Sequence, residues 1–459
     1  MLKTIKVNSR PLNIFSKLYI WSILLESFLY FILAHQNTTI VGFSVARILQ
    51  IVVLLYLVSK INNKHLLKVI NPLSLFNFKF SLYFLYTIIL SIVGYIFYEY
   101  NLAANFRAEA VKRQLFEFIV QLYYFIYFAV LPRFFITSKK GVEYFFKVFF
   151  ITFFLTVFFG VLDLFSVYFL GENLLSRQIY EDVGVGFRFH GLNGEPRDAY
   201  VYLVLSVSLF VMYSIWKQQK LSKILMVFIA FLILFTQSMS FIIGMLILIT
   251  LLPLYFAKYN NIKINILIFF CFCVFALIVA IASFYSYRLG IYFDAFPDLY
   301  LNLSQGLYTE GILHHQMVNI IPIWDIWLKL SEYNPIPLLF GHGTGSSSVV
   351  NNAYLMVLWG DTEYGVLNPH AQIIRTIYDF GIVGILLFIS FLISPFKKNM
   401  IRVSDYKKFI FVTILVLSAF FSHRAVAPYI LFGIASVIFP FIRNESINIA
   451  NQSKMFNQK

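Results

Sequence analysis

FKVFFITFFLTVFFGVLDLFSVYFL, Phe146 to Leu170, carries only two charged side chains, Lys147 and Asp163. A membrane-spanning helix needs roughly 20 apolar residues, and this run supplies them without interruption. Comparable runs recur from Ile14 to Ile442. The chain has 459 residues, 60% of them hydrophobic and 12% charged, against about 25% charged in ordinary soluble domains. These values exclude a water-soluble globule. They predict an all-α polytopic integral membrane protein, a single membrane domain over 1–459.

Counting apolar windows gives about twelve transmembrane helices, over 14–34, 40–59, 81–98, 115–131, 146–170, 199–216, 223–237, 239–257, 264–286, 370–393, 409–422 and 427–442. No cleavable leader is expected, because the first apolar segment is long enough to span and no small-residue cleavage site follows it. Cys271 and Cys273 lie inside an apolar run. Two residues apart on a helix they point to different faces, so neither a disulfide nor a metal pair is expected.

Orientation follows from lysine and arginine in the short loops. Lys60, Lys64 and Lys68, then Arg133, Lys139 and Lys140, then Lys217, Lys220 and Lys223, and later Lys397 to Lys408 fall in alternate loops. These loops and both termini are expected to be cytoplasmic. Eleven basic residues fall in the outer half, and nine of them are arginine: Arg47, Arg107, Arg113, Arg177, Arg188, Arg197, Arg288, Arg375 and Arg424. Orientation needs only positive charge, so arginine on this side asks for a second cause. Its planar fork pairs bidentately with phosphate; anchoring of helices at the interface is the plainer alternative. The net charge of +15 reads as orientation signal plus attraction to anionic membrane lipid, with no nucleic acid implied.

Three outer loops are expected, at 99–114, 171–198 and 287–369. The second ends in RFHGLNGEP, Arg188 to Pro196. The third is the long one, and loops of that length in a compact protein are usually functional. It carries MVNIIPIWDIWLKL, Met317 to Leu330, which reads either as a helix along the membrane surface or as the core helix of a loop subdomain. NPIPLLFGHGTGSSS follows, Asn334 to Ser348, with glycines at 341, 343 and 345 that free the backbone for tight turns and for close approach to a ligand. It lacks the lysine of a nucleotide P-loop. NPHAQIIRTIYDFGIVG, Asn368 to Gly384, then places His370 at the mouth of the tenth span, with Arg375 and Asp379 below it at i,i+4 spacing. Ionisable residues at membrane depth are functional candidates.

This order of motifs resembles the O-antigen polymerase (Wzy) family of the O-antigen polymerase and ligase superfamily. The carrying residues are Arg188, Gly191, Glu195 and Pro196, then a tryptophan-containing helix, GHGTG with Gly343 at its centre, and a histidine entering a helix that bears Gly381 and Gly384. The resemblance covers roughly residues 150–395. It implies a GT-C-like glycosyltransferase in the bacterial inner membrane, multi-pass, with the active site on the periplasmic side. The substrates would be an undecaprenyl-diphosphate-linked glycan donor and a lipid-linked repeat-unit acceptor, with no metal and no other cofactor. Arg188 would bind the diphosphate and His370 would take the proton from the acceptor hydroxyl. Gly191, Glu195, Gly343 and Asp379 would line the same site.

Two departures stand out. The turn between the paired middle helices reads TQSMS, Thr236 to Ser240, where the family often carries arginine. Near the tryptophan helix only His314, His315 and Lys329 supply basic character. The second diphosphate-binding residue is therefore assigned first to Arg288, then to Arg375. A ligase acting on lipid A core or protein uses the same donor chemistry and is the alternative enzyme. A lipid-linked oligosaccharide flippase is the alternative from another class, although the internal repeats common in transporters are not apparent. A chain-length regulator is a further candidate partner.

Overall fold

The computed structural model describes residues 12–26, 45–60, 62, 64, 66, 78–97, 115–171, 174–175, 188–236, 238–260, 314–351, 369, 371–397, 403–422 and 426–456. The elements with defined bounds are all helical: α1 Ile14–Leu24, α2 Val45–Ser59, α3 Phe78–Phe97, α4 Leu115–Phe135, α5 Lys139–Leu170, α6 Pro196–Lys217, α7 Lys223–Phe235, α8 Met239–Asn260, α9 His314–Ser331, α10 Ile336–Phe340, α11 Gln372–Lys397, α12 Val403–Ser422 and α13 Ala427–Phe456.

Helix ends follow local chemistry. Ser138 starts α5 by accepting from the Gly141 N–H at 3.1 Å, and Gly171 ends it at φ 72°. Pro196 opens α6, where its missing N–H costs nothing. Ser222 caps α7 through the Leu225 N–H at 3.3 Å.

Four helices among the described residues are long and apolar enough to cross a membrane: Leu115–Phe135, Lys139–Leu170, Pro196–Lys217 and Gln372–Phe391. This is the make-up of a helical membrane protein, but it is fewer than the twelve spans expected. Helices occupy eleven of the expected windows, and 264–286 lies outside the described residues. Shorter apolar helices, Ile14–Leu24, Val45–Ser59 and Lys223–Phe235 among them, lie in further windows. Within α4, Phe125–Val130 forms a π-helical turn whose Tyr127 carbonyl accepts from the Tyr19 hydroxyl at 2.6 Å.

α6 is the centre of the bundle: 94% of its apolar window is buried inside the protein, and α7, α8, α12 and α13 all pack on it. Such a helix, enclosed on every side, has little amphipathic pattern of its own. By contrast α5 and α7 leave Phe154, Phe165, Phe169, Ile224 and Val227 exposed, as a lipid-facing surface would. One end of the bundle gathers the lysine loops. Lys217 pairs with Glu143 at 3.1 Å, and Lys139 and Lys17 lie over the Trp216 and Tyr144 rings.

The feature that positions the candidate site is a break in α11. Gly381 leaves the helical region at φ 66°, ψ −174°, a conformation essentially restricted to glycine. Gly341, at φ 80°, ψ −172°, crosses it. A Cβ on Gly341 would lie 2.6 Å from the Asp379 carbonyl carbon and from the Gly381 nitrogen. Just before the break two α11 carbonyls take donors from the inserted loop: His342 N–H to Tyr378 O at 2.9 Å and Gly343 N–H to Asp379 O at 2.8 Å. The Tyr86 hydroxyl, 2.7 Å from the Phe380 and Phe340 carbonyls, donates to one of the two at a time. Irregular backbone in an apolar surrounding is tolerated only when it is satisfied in this way.

This crossing predicts a contrast between two glycine substitutions. Gly341→Ala adds a methyl group against backbone in a glycine-only conformation and should cost about 3–5 kcal/mol. Gly171→Ala, whose Cβ would meet nothing within 4 Å, should cost only about 1 kcal/mol. Thermal or denaturant unfolding of the detergent-solubilised protein checks both; equal effects would contradict the packing described.

Candidate functional site

The inserted loop is held by one carboxylate. Asp379 Oδ2 accepts from the Gly345 N–H at 2.9 Å and Oδ1 from the Ser347 N–H at 2.8 Å, while the Ser346 hydroxyl, 2.7 Å from the Gly343 carbonyl and 3.1 Å from Oδ1, donates to one of the two at a time. Gly343, at φ 102°, lies against Leu90 and Ser91 of α3, and Ser91 Oγ is 2.7 Å from Thr344 Oγ1. The close approaches of this glycine-rich loop are thus to the protein's own backbone.

Beneath it sits a buried polar cluster. The His342 ring stacks on Tyr378 with centroids 4.1 Å apart. Lys329 Nζ lies 2.8 Å from His342 Nε2 and 2.5 Å from Asp325 Oδ2, and the Tyr378 hydroxyl donates to the same carboxylate at 2.7 Å. Burial, and then the Lys329 ammonium, push the His342 pKa down to about 3, against the opposing effects of Asp325 and the bond to the Tyr378 carbonyl. The imidazole is therefore neutral near pH 7. Its Nε2 accepts from Lys329, and Nδ1–H faces the Tyr378 carbonyl at 3.2 Å.

Arg375, 4% exposed, stands one turn above Asp379. Its Nη2 is 2.5 Å from Glu117 Oε2 on α4, while Nε is 3.8 Å from Asp379 Oδ2. The i,i+4 neighbour is therefore the second partner, and a helix distant in sequence supplies the first. Beside this pair lies a small, partly open cleft of about 30 Å³, room for about two water molecules. Its polar wall is Gln121, Tyr124, Gln372, Arg375 and Thr376, and Phe388, Phe420 and Tyr429 continue it.

RFHGLNGEP forms a second constellation. The Phe189 N–H donates to Phe235 O at 2.8 Å and Arg188 Nε donates to Thr236 O at 3.2 Å, laying the loop on the turn after α7. His190 Nε2 and Asp163 Oδ2, each on a side chain 1% exposed, approach within 3.0 Å without the alignment of a hydrogen bond. Asp163 Oδ1 also accepts from the Leu175 N–H at 2.8 Å. Gly191, at φ 54°, presses on Thr156 of α5, with a Cβ position only 2.7 Å from Thr156 Cγ2. Glu195 pairs with Arg197 at 2.6 Å.

Of the residues predicted for the site, Arg375, Asp379 and Gly343 come together around the broken helix. Arg188, Gly191 and Glu195 share the other loop. His370, two residues before Gln372 in sequence, and Arg288 lie outside the described residues. Sequence reasoning missed Glu117, a lone acid in an apolar run, and Gln372 and Tyr86, which carry no sequence signal of their own. Among the described residues no three His, Cys, Asp or Glu side chains are grouped to hold a metal ion. No family model, no curated protein and no solved structure matches the chain.

The His342 geometry predicts an acid sensitivity. An unfolded imidazole titrates near 6.5; with a folded value of about 3, the unfolded chain binds a proton that the folded chain refuses throughout that window. Stability is lost as pH falls from about 6.5, by at most about 2 kcal/mol from this group down to pH 5. Unfolding of wild type and His342→Gln at pH 7 and pH 5 should show a smaller loss in the variant. An identical loss would place the acid sensitivity elsewhere.

Proposed function

We propose that this chain polymerises undecaprenyl-diphosphate-linked oligosaccharide repeat units into O-antigen or a related surface polysaccharide. In this reading it is a GT-C-like enzyme of about twelve spans in the bacterial inner membrane, with both termini cytoplasmic and the reaction on the periplasmic face. The observation that carries it is the contact between two of the segments that bear the family resemblance. GHGTG and the first turns of α11 are locked together beside a polar cleft.

The chemistry suits the residue types. The acceptor hydroxyl attacks the anomeric carbon of the donor sugar while the bond from that carbon to the diphosphate oxygen breaks. The hydroxyl proton passes to His370, and the departing diphosphate gains negative charge. Fixed guanidinium groups stabilise that charge more in the transition state than in the ground state. Arg188 and Arg288 are the proposed holders of the diphosphate. Arg375 was the third candidate, but its guanidinium is engaged by Glu117 and Asp379, so its proposed part is to shape the cleft.

The test is glycan chain length in cells whose only copy is His370→Ala or Arg188→Ala, with membrane levels matched by blot. Loss of a general base or of one charge-stabilising donor typically slows reaction by about 100-fold or more. The ladder should therefore collapse to a single repeat unit on its carrier. Accumulation of long lipid-linked polymer without transfer would instead identify a ligase, and an unchanged ladder would remove both residues from catalysis.

A further inference from the structure

We infer that α9 and α10 lie in the outer leaflet of the membrane with their outward faces against lipid acyl chains, so that part of the long outer loop is a membrane-embedded element. This placement goes beyond the polymerase reading and is independent of the reaction.

α9 is amphipathic in the reverse of the usual sense. A helix on a water-facing loop turns its charged residues to solvent and its apolar ones to the protein. Asp325 and Lys329 are the only charged side chains between Met317 and Leu330, and they point inward, to Tyr378 and His342. Ile321 and Ile326 are buried with them. Ile323 and Trp327, one turn apart, point outward and are 51% and 61% exposed. α10 has no polar side chain at all, and its Ile336 and Leu339 are exposed as well. Two consecutive helices that hide their charges and show their apolar residues are unsuited to water.

Their surroundings say what covers this face. The Tyr86 hydroxyl, 2.7 Å from the Phe340 carbonyl, sets α10 beside α3, where Leu85 and Ile89 are exposed in their turn. The apolar surface thus continues onto a helix whose one charged residue is Lys79, near its start. Depth follows from α11. Gly341 crosses it at Gly381, midway along Gln372–Phe391, a helix long and apolar enough to cross a membrane. From Gly381 to Lys397 the rise is about 24 Å, against a hydrocarbon layer of about 30 Å. With Lys397 at the inner boundary, the crossing lies inside the hydrocarbon near its outer edge. The polar ends agree with that depth. His314 and His315 open α9, and Glu332 and Asn334 are exposed in the turn before α10. Such ends suit headgroups, and an outward Trp327 suits the boundary between headgroups and acyl chains.

The test uses the full-length chain carrying Cys271→Ser and Cys273→Ser, reconstituted in vesicles of phosphatidylethanolamine and phosphatidylglycerol. A nitroxide is attached to a single new cysteine in Trp327→Cys, Leu339→Cys, Leu85→Cys or Glu332→Cys. Its relaxation by oxygen, which concentrates among acyl chains, is compared with relaxation by a water-soluble nickel chelate. Trp327→Cys and Leu339→Cys should give an oxygen-to-nickel ratio severalfold above that of Glu332→Cys, and Leu339→Cys should match Leu85→Cys. A ratio as low as that of Glu332→Cys would put the face in water. Access by neither reagent would put protein there, from a second copy or from elsewhere in the chain. Either result overturns the inference. A second measurement needs no label and leaves both cysteines in place. The fluorescence difference between wild type and Trp327→Phe reports Trp327, and it should shrink in vesicles of lipid with brominated acyl chains; an unchanged difference overturns the inference too.

Discussion

Two glycine backbones in contact, Gly341 against Gly381, set the geometry of everything around the cleft. Neither position tolerates a Cβ, because carbonyl and amide atoms of the other segment occupy its place. The crossing opens α11, and the carbonyls just before the break take the loop's N–H groups. Asp379, just before the break, turns its carboxylate to the next N–H groups of the same loop. Each step satisfies what the previous one left open, which is how non-helical backbone persists in an apolar surrounding. The consequence reaches outward: the loop brings His342 onto Tyr378, Tyr378 reaches Asp325, and α9 is tied to α11.

Paired polar side chains between helices behave as register pins. Arg375 with Glu117 joins α11 to α4, Asp163 with His190 joins α5 to the loop before α6, and Glu26 with Arg47, 2.7 Å apart, joins the end of α1 to α2. Desolvating such pairs costs about as much as their attraction returns, so they contribute little net stability. Shifting one helix by a turn, however, would leave a charge buried alone, and apolar packing supplies no comparable penalty against sliding. The neutral His342 is the same principle in another form, since burial beside an ammonium keeps the imidazole uncharged.

Much of the fold was legible because it depends on local composition. Apolar windows marked the helices but not their starts: α5 begins at Lys139, capped by Ser138, ahead of the apolar run from Phe146. Arg375, Asp379 and GHGTG stood out too, as polar or glycine residues where apolar ones were expected. Partners were not. Arg375 was read against Asp379 because i,i+4 spacing is visible in a sequence, whereas Glu117 lies more than 250 residues away and only helix packing unites them. Glycines in GHGTG and RFHGLNGEP read as room for a ligand. In the structure Gly343 and Gly191 make room for α3 and α5, and a sequence does not say which of two close approaches a glycine serves. The break at Gly381 and the π-helical turn in α4 likewise arise from what packs there, not from local propensity.

The central claim is that Asp379 pins the 341–348 loop into the break of α11. Hydrogen–deuterium exchange of that loop, in wild type and in Asp379→Asn, tests it most directly. In wild type the amides of Gly343, Gly345 and Ser347 should exchange as slowly as those of the enclosed helix α6, and the substitution should release Gly345 and Ser347 while leaving α6 protected. Fast exchange of the loop in wild type, or protection unchanged by the substitution, would contradict the account.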